Sequence, residues 1–316
     1  MSALESTAFE LTVVGRVAGS TEVALIELAA ADGATLPRWQ PGAHIDILLP
    51  DGDARQYSLC GVPGAATWRI GVLREPDGRG GSLWVHENLV EGATVRVAGP
   101  RNHFEFSPDA GTRYLFIAGG VGITPISAMV EAAAAAGAEY RLEYAGRSRS
   151  TMALTELSQR YPHRARLHPA DEGARLDLDA LFANLPPFTT TYCCGPARLI
   201  EAVEQAARGR QLVVERFEPK ELGEPVRAEP FEVELAFSGL ELTVPPERSI
   251  LDVVEEAGVL VLSSCREGTC GTCETRVMDG DIDHRDSILT QGEQDANDVM
   301  YICVSRSAGP RLSLEL

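Results

Sequence analysis

Apolar and polar residues alternate with three different periods along this chain. Up to about residue 105, short apolar runs rich in β-branched residues are separated by turn dipeptides such as Pro41-Gly42 and Asp51-Gly52. Many short strands at this spacing are typical of a closed antiparallel barrel, which we predict for residues 1–105. The predicted strands include Glu10–Val14, Val23–Leu28, His44–Leu49, Trp68–Leu73 and Thr94–Val97.

The second stretch, residues 106–217, alternates strands with helices. Apolar strand patterns at Arg113–Ala118, Glu139–Ala145 and Thr189–Cys194 are followed by helical patterns such as Pro125–Ala136 and Pro196–Arg208. Strands that alternate with helices pair in parallel through crossover connections. We therefore predict an α/β domain with a parallel sheet.

The third stretch begins after a segment rich in proline, glycine and charge at residues 218–230, which is typical of a linker. In residues 231–316, two strands precede a helix at Ile250–Ala257, a loop with three cysteines and a last strand pair. This order predicts a separate α+β domain.

Charge and hydropathy narrow the class of protein. The formal net charge is −18, and residues 226–316 contribute 18 acidic and 7 basic side chains. This acidity argues against nucleic acid and anionic membranes as partners, and leaves open solubility or a docking face for a basic protein. No run of eighteen apolar residues and no export signal are found, so we expect a cytoplasmic protein without a membrane partner.

Four of the seven cysteines form one pattern near the C-terminus. Cys265, Cys270 and Cys273 follow the spacing C-x4-C-x2-C, and Cys303 comes after 29 intervening residues. This is the spacing of plant-type [2Fe–2S] ligands, whereas zinc knuckles, the alternative, pair cysteines in two close units. The flanking sequence resembles the plant-type ferredoxin family, which implies a β-grasp domain and a [2Fe–2S] cluster on these four thiolates.

Two motifs in the first stretch combine groups that suit a flavin. At a strand end, a guanidinium, a phenol and a hydroxyl occur together, and glycines with a serine precede a predicted helix, where an anion can bind. Singly, such residues are usually surface and cross-strand pairs. Together they resemble the flavin barrel of the ferredoxin-NADP reductase superfamily, which implies flavin contacts from Arg55, Gln56, Tyr57, Ser58, Gly71, Val72, Leu73, Gly80, Gly81 and Ser82.

Two strand-to-helix turns in the second stretch suit a dinucleotide. A glycine-rich turn follows the first strand and opens a helix, the context that a pyrophosphate loop requires, although such a turn can also be only a tight connection. Another strand ends in Cys194-Gly195-Pro196. The pair resembles the NAD(P) domain of the same superfamily, which implies contacts from Gly119, Gly120, Val121, Gly122, Thr124, Pro125, Cys194, Gly195 and Pro196.

The sequence leaves the choice between NADH and NADPH open. Arg147-Ser148-Arg149 follows the second strand of the α/β domain, where the adenosine ribose would lie. The two arginines could bind a 2′-phosphate, remain solvated or touch only the pyrophosphate. The relatives with this domain order use NADH, which we therefore expect. Phe217 matches an aromatic residue that covers the flavin in relatives, and could equally be a hydrophobic residue at the linker edge.

The order of barrel, nucleotide domain and ferredoxin domain resembles the phthalate dioxygenase reductase and vanillate demethylase reductase family over essentially the whole chain. The resemblance implies FMN, NADH, a [2Fe–2S] cluster and electron relay through cofactors without catalytic side chains. It implies a Rieske non-haem iron oxygenase or demethylase as partner of a monomeric reductase. A haem-thiolate monooxygenase partner, or a non-catalytic electron-storage or redox-sensing role, are the alternatives.

Overall fold

A computed structural model describes residues 7–173 and 175–316. The described residues divide into two compact units, a larger one of residues 8–216 and a smaller one of residues 217–316 together with residue 7. The first unit contains both the predicted barrel and the predicted α/β segment. The domain boundaries within the chain stay predictions. Within the described part of the chain, every helix is too short or too polar to cross a lipid bilayer.

The first sheet of the larger unit is a closed antiparallel sheet of six strands. Its order is β4-β3-β6-β1-β2-β5, and the edge strands meet through a bridge between Leu59 and Ile70. Helix α1 (Gly81–Asn88) follows the fifth strand. The strands are β1 (Phe9–Ala18), β2 (Val23–Ala30), β3 (His44–Leu48), β4 (Ala54–Ser58), β5 (Trp68–Leu73) and β6 (Thr94–Arg101).

The second sheet of this unit is parallel, with the order β11-β10-β7-β8-β9. Because strand order reverses between β7 and β10, the ends of these two strands form a topological switch point, where α/β sheets bind ligands. The strands are β7 (Arg113–Gly119), β8 (Glu139–Gly146), β9 (Ala165–Pro169), β10 (Thr189–Cys194) and β11 (Leu212–Glu215). The helices are α2 (Ile123–Ala135), α3 (Glu156–Arg160), α4 (Leu178–Ala183) and α5 (Ala197–Ala206).

The smaller unit has a mixed five-stranded sheet of order β13-β12-β18-β14-β16, in which β12 and β18 are parallel. Helix α6 (Ile250–Glu256) is capped by the preceding residue, Ser249, whose hydroxyl accepts a hydrogen bond from the backbone N–H of Asp252. The strands are β12 (Phe231–Leu235), β13 (Leu240–Val244), β14 (Glu274–Asp279), β15 (Ile282–Asp283), β16 (Val299–Tyr301), β17 (Arg306–Ser307) and β18 (Arg311–Leu314).

The predicted fold class is confirmed: an antiparallel barrel, a parallel α/β sheet and an α+β domain follow one another along the chain. One helix was not predicted, α7 (Gln291–Ala296), because its side chains are polar and no hydrophobic stripe marks it. Its start could have been recognised from Thr290 and Glu293, which form a capping box.

Two valines in β1 provide a matched test of the barrel core. Val13 is 1 % exposed and Val17 is 62 % exposed. We expect Val13→Ala to lower the free energy of unfolding by roughly 2 kcal/mol, because it removes buried methyl groups and leaves a cavity. Val17→Ala should change it by less than about 0.5 kcal/mol. Urea denaturation measures both free energies. Equal losses would contradict the placement of Val13 in the core and of Val17 at the surface.

Candidate cofactor sites

The glycine-rich turn after β7 lies directly against the turn after β10. A Cβ atom on Gly122 would lie 2.3 Å from the carbonyl oxygen of Cys194, and one on Gly195 would lie 3.0 Å from the Cα of Gly119. A Cβ on Gly119 would in turn lie 2.9 Å from Cδ of Pro196. Only glycines allow these two backbones to meet, so the sequence-predicted residues of the two turns form one site at the switch point.

This site has the features of an anion-binding cradle. Gly120 adopts a φ of 55°, which favours glycine, and the Tyr144 hydroxyl donates to its carbonyl oxygen at 3.1 Å. Helix α2 begins next to the turn and has no acidic residue in its first turn, where Thr124 and Pro125 lie. The dipole at this end of helix α2 suits a pyrophosphate.

Strand β5 of the barrel approaches the same turn. A Cβ on Gly71 would lie 2.7 Å from Cγ2 of Thr124, whose hydroxyl donates to the carbonyl oxygen of Val121 at 2.9 Å. Val72, the next residue, is fully buried, and its carbonyl oxygen contacts Nε2 of His86 at 2.9 Å. The structure therefore brings part of the predicted flavin site into contact with the predicted nucleotide site.

The phosphate end of the predicted flavin site is formed by β4 and α1. A Cβ on Gly81 would lie 2.5 Å from Nε of Arg55, so the guanidinium lies across the start of the helix. Gly80 precedes the helix with a φ of 80°, and the Ser82 hydroxyl accepts from the backbone N–H of Glu75 at 3.1 Å. A guanidinium, a helix N-terminus and a hydroxyl suit a phosphate group.

The other residues of β4 point in alternating directions. Tyr57 pairs with Ile45 of the barrel core, and its partial burial raises the pKa of its phenol above the ordinary value. Gln56 points to the opposite side, where its amide donates to Asp46 at 2.6 Å. Ser58 is buried on that side as the last residue of the strand. Tyr57 and Ser58 can therefore contact one ligand only at the strand end.

One residue of the site was missed by sequence reasoning, Glu215 at the end of β11. It pairs with Cys194 across the parallel ladder, and the Cys194 thiol donates to its carboxylate over 3.7 Å. Burial raises the pKa of Glu215 to about 8. The sequence offered one signal for it, namely that a glutamate ends the last strand of the predicted parallel sheet.

The four remaining predicted residues are Leu73, Arg147, Ser148 and Phe217. Arg147 forms an ion pair with Glu22, and the Ser148 hydroxyl lies 2.9 Å from that of Ser150. Phe217 is 42 % exposed and begins the long segment, residues 217–316, of the smaller unit. Its contact with a flavin stays a prediction. Leu73, the last residue of β5, lines a cavity together with Arg147.

The four predicted ligand cysteines of the smaller unit are buried, and their side chains contact one another. Cys265 contacts both Cys270 and Cys303, and Cys303 also contacts Cys273. The backbone N–H of Glu267 donates to Sγ of Cys265 at 3.3 Å. Among the described residues, no group of three or more histidine, cysteine, aspartate or glutamate side chains is arranged to hold a single metal ion. Paired cysteines fit a cluster of two irons, each bound by two sulfurs.

The cysteine loop is held in shape by close contacts. A Cβ on Gly268, whose φ is 71°, would lie 2.6 Å from Cγ2 of Val304, and its carbonyl oxygen accepts from the backbone N–H of Ser287 at 2.9 Å. Arg266 donates to Asp252 and Glu255 of α6, both at 2.8 Å. These contacts hold the loop in a curled shape that brings its cysteines together.

Comparison with known proteins follows the same division of the chain. Residues 116–205 match the oxidoreductase NAD-binding domain, and residues 233–308 match the 2Fe-2S iron-sulfur cluster binding domain. The putative toluene-4-sulfonate monooxygenase system reductase subunit of Comamonas testosteroni is 40% identical, over 97% of this chain and 98% of its own length.

Two solved structures cover nearly the whole chain. Phthalate dioxygenase reductase superposes with a TM-score of 0.71 and 32% identity over 100% of both chains. An intact type IV self-sufficient cytochrome P450 monooxygenase gives 0.91 and 41% identity over 99% of this chain. The present chain spans 41% of that P450 chain.

The fold and the sites define an oxidoreductase that joins an NAD-binding domain and a flavin-type barrel to a [2Fe–2S] domain. The chain belongs to the phthalate dioxygenase reductase family, together with reductase subunits of oxygenase systems. The family, the enzyme class, and the NAD-binding and cluster-binding domains predicted from the sequence are thereby confirmed.

The contact between the two turns predicts a specific loss of nucleotide binding. We expect Gly122→Ala to raise the Kd for NADH at least tenfold, because the new methyl group pushes the pyrophosphate turn away from Cys194. Gly111→Ala is the control, since its Cβ would contact only Asp109, at 3.5 Å. Isothermal titration calorimetry measures both, and an unchanged Kd for Gly122→Ala would exclude the turn from the nucleotide site.

The raised pKa of Glu215 predicts a pH-dependent stability. An unfolded glutamate loses its proton near pH 4.5, whereas the folded carboxyl keeps it to about pH 8, so folding becomes less favourable as pH rises through this interval. We expect Glu215→Gln to gain roughly 2–4 kcal/mol of stability relative to the parent between pH 5 and 9. Urea denaturation at both pH values measures this difference, and a constant one would show that Glu215 is ionised throughout.

Proposed function

We propose that this protein is an NADH-dependent iron–sulfur flavoprotein reductase that passes electrons from NADH through FMN and a [2Fe–2S] cluster to a terminal oxygenase. The observation that carries the proposal is the close approach of Gly71 in the barrel to Thr124 in the first turn of helix α2. A Cβ atom added to Gly71 would lie 2.7 Å from Cγ2 of Thr124. A flavin and a nicotinamide must lie next to each other for hydride transfer. The same chain supplies four converging cysteines as the electron exit.

On the nucleotide side, the turns at Gly119–Gly122 and Cys194–Pro196 would hold the pyrophosphate and the nicotinamide end of NADH. The N-terminus of α2, with Thr124 and Pro125 in its first turn and no acidic residue there, would attract the negative charge of the pyrophosphate. Arg147 and Ser148 would contact the adenosine ribose. The Cys194 thiol lies 3.7 Å from the carboxylate of the half-buried Glu215, and the two groups would hold a proton between them beside the nicotinamide position.

On the flavin side, Arg55 with Gly80, Gly81 and Ser82 would bind the phosphate of FMN, while Gly71 permits the close approach of Thr124 from the nucleotide side. Gln56, Val72 and Leu73 shape the site around it. Tyr57 and Ser58 would contact the ring from the end of β4. A flavin supplies the chemistry that joins a two-electron hydride donor to a one-electron acceptor.

In the smaller unit, Cys265, Cys270, Cys273 and Cys303 would bind the cluster. Their burial excludes water, and backbone N–H groups such as that of Glu267 direct positive charge to the sulfurs, which stabilises the reduced state. This is a one-electron site at the end of the relay, so no acid or base is required there.

The partner class rests on the relatives, whose names include reductase subunits of monooxygenase systems. We propose a Rieske non-haem iron oxygenase or demethylase as the acceptor, and a monomeric, cytoplasmic reductase. A haem-thiolate monooxygenase is the second candidate, because the P450 structure contains a region 41% identical to this chain. Turnover with a purified oxygenase of each class distinguishes the two partners.

Anaerobic titration tests the relay directly. We expect the purified protein to contain one FMN and two irons, and NADH to bleach both the flavin and the cluster absorption bands. A non-catalytic redox sensor would instead bleach without sustained turnover of cytochrome c. A colourless protein that contains zinc would overturn the proposal.

The order of the relay predicts the behaviour of cluster variants. We expect Cys303→Ser to lower the rate of NADH-dependent cytochrome c reduction at least tenfold, whereas reduction of ferricyanide, which accepts electrons from the flavin, stays within about threefold. Cys60→Ala is the control, because Cys60 is a buried cysteine of the barrel unit. Equal losses with both acceptors in Cys303→Ser would contradict an exit through the cluster.

A further inference from the structure

Both arginines beside the predicted ribose site are engaged by carboxylates. Arg149 donates from Nε and from a terminal nitrogen to the two carboxylate oxygens of Glu172, at 2.6 and 3.1 Å. Arg147 forms an ion pair with Glu22. Neither guanidinium is therefore an open anion site.

All four side chains lie at the carboxyl edge of the parallel sheet. Arg147 and Arg149 follow β8 directly, in the position where α/β folds bind the adenosine ribose. Glu172 closes the turn after the neighbouring strand, β9. Glu22 belongs to the turn between β1 and β2 of the barrel.

The backbone next to each carboxylate is hydrogen-bonded to the segment that carries the arginines. The N–H of Asp171, next to Glu172, donates to the carbonyl oxygen of Arg147 at 3.1 Å. The backbone N–H and the hydroxyl of Thr21, next to Glu22, both donate to the carbonyl oxygen of Ser150, at 2.9 and 3.1 Å. The segments that carry the two carboxylates are thus tied to the segment that carries the arginines, which places Glu22 within reach of Arg147 and Glu172 within reach of Arg149.

The adjoining cavity is also negative. It has a volume of about 680 Å³, and its charged lining consists of two guanidinium groups and three carboxylates. A 2′-phosphate brings nearly two further negative charges, whereas the 2′-hydroxyl of NADH is neutral and can donate a hydrogen bond to a carboxylate. The lining residues with charge are Arg74, Arg147, Glu22, Glu75 and Asp77.

We infer that Glu22 and Glu172 are specificity-determining residues that make this reductase discriminate against NADPH, by occupying Arg147 and Arg149 and by repelling the 2′-phosphate. The inference rests on the proposed use of a nicotinamide dinucleotide. The two arginines, which from the sequence alone could bind a 2′-phosphate, thereby form part of a site for an uncharged ribose.

The two ion pairs are accessible enough to be changed without loss of the fold. The side chains of Arg149 and Glu172 are 57% and 45% exposed, and exposed pairs contribute little to stability. The effect on an incoming phosphate is larger, because the same substitution removes a repulsive charge and frees a bidentate donor.

The test compares two adenosine nucleotides that differ only at the 2′ position. Isothermal titration calorimetry at low salt measures the Kd of 2′,5′-ADP and of 5′-AMP for the holoprotein and for E22Q, E172Q and the double variant. We expect the double variant to bind 2′,5′-ADP at least tenfold more tightly than the parent, and 5′-AMP within threefold. The gain should shrink in high salt, because it is electrostatic.

Kinetics and two controls complete the test. The ratio of kcat/KM for NADPH to that for NADH, with ferricyanide as acceptor, should rise at least tenfold in the double variant. E139Q removes a matched carboxylate, paired with Arg113 at 2.8 Å at the opposite edge of the same sheet, and should leave the ratio unchanged. Adding R149A to the double variant should abolish most of the gain.

The possible failures are distinguishable. If NADH reduces the flavin and the double variant binds 2′,5′-ADP no more tightly than the parent, the inference about Glu22 and Glu172 is wrong and the proposed function stands. A parent protein that prefers NADPH would overturn the inference in the same way. If neither nucleotide reduces the flavin, the proposed function itself fails.

Discussion

The contact between two backbone turns at the switch point of the parallel sheet is the constraint on which the larger unit depends. Gly119 and Gly122 approach Cys194 and Gly195 so closely that no side chain fits between them. This packing aligns the N-terminus of α2 with the end of β10, so that two segments about 75 residues apart meet where we propose the pyrophosphate and the nicotinamide of NADH bind. Any side chain added at these positions would separate the two halves of the site.

The barrel completes this site. Gly71 lets β5 meet Thr124, and the turn at Thr21 is bonded to Ser150, so barrel and sheet share one compact unit. The same two contacts have chemical consequences: the first brings the flavin strand to the nucleotide turn, and the second brings Glu22 to Arg147. A barrel turn therefore takes part in choosing the nucleotide that the α/β sheet binds.

The cluster site is organised by different means. The four cysteines would hold irons only if their loop is already curled, and the positive φ of Gly268 together with the bonds from Ser287 and from Arg266 keep it so. Asp286 supports this arrangement by accepting from the backbone N–H groups of Ile288 and Leu289, at 3.0 and 2.8 Å. Local spacing supplies the ligands, and tertiary contacts supply their convergence.

The sequence by itself determined the fold class, the order of the segments and the cysteine set, because period, turn chemistry and ligand spacing are local properties. Helix α7 was not predicted, because a capping box without a hydrophobic stripe is a weak local pattern. Only the tertiary structure decided that Glu215 lies beside Cys194, that Gly71 meets Thr124, and that Arg147 and Arg149 are engaged by Glu22 and Glu172. These pairs join residues far apart in the chain, and an arginine's availability depends on neighbours that no local pattern encodes.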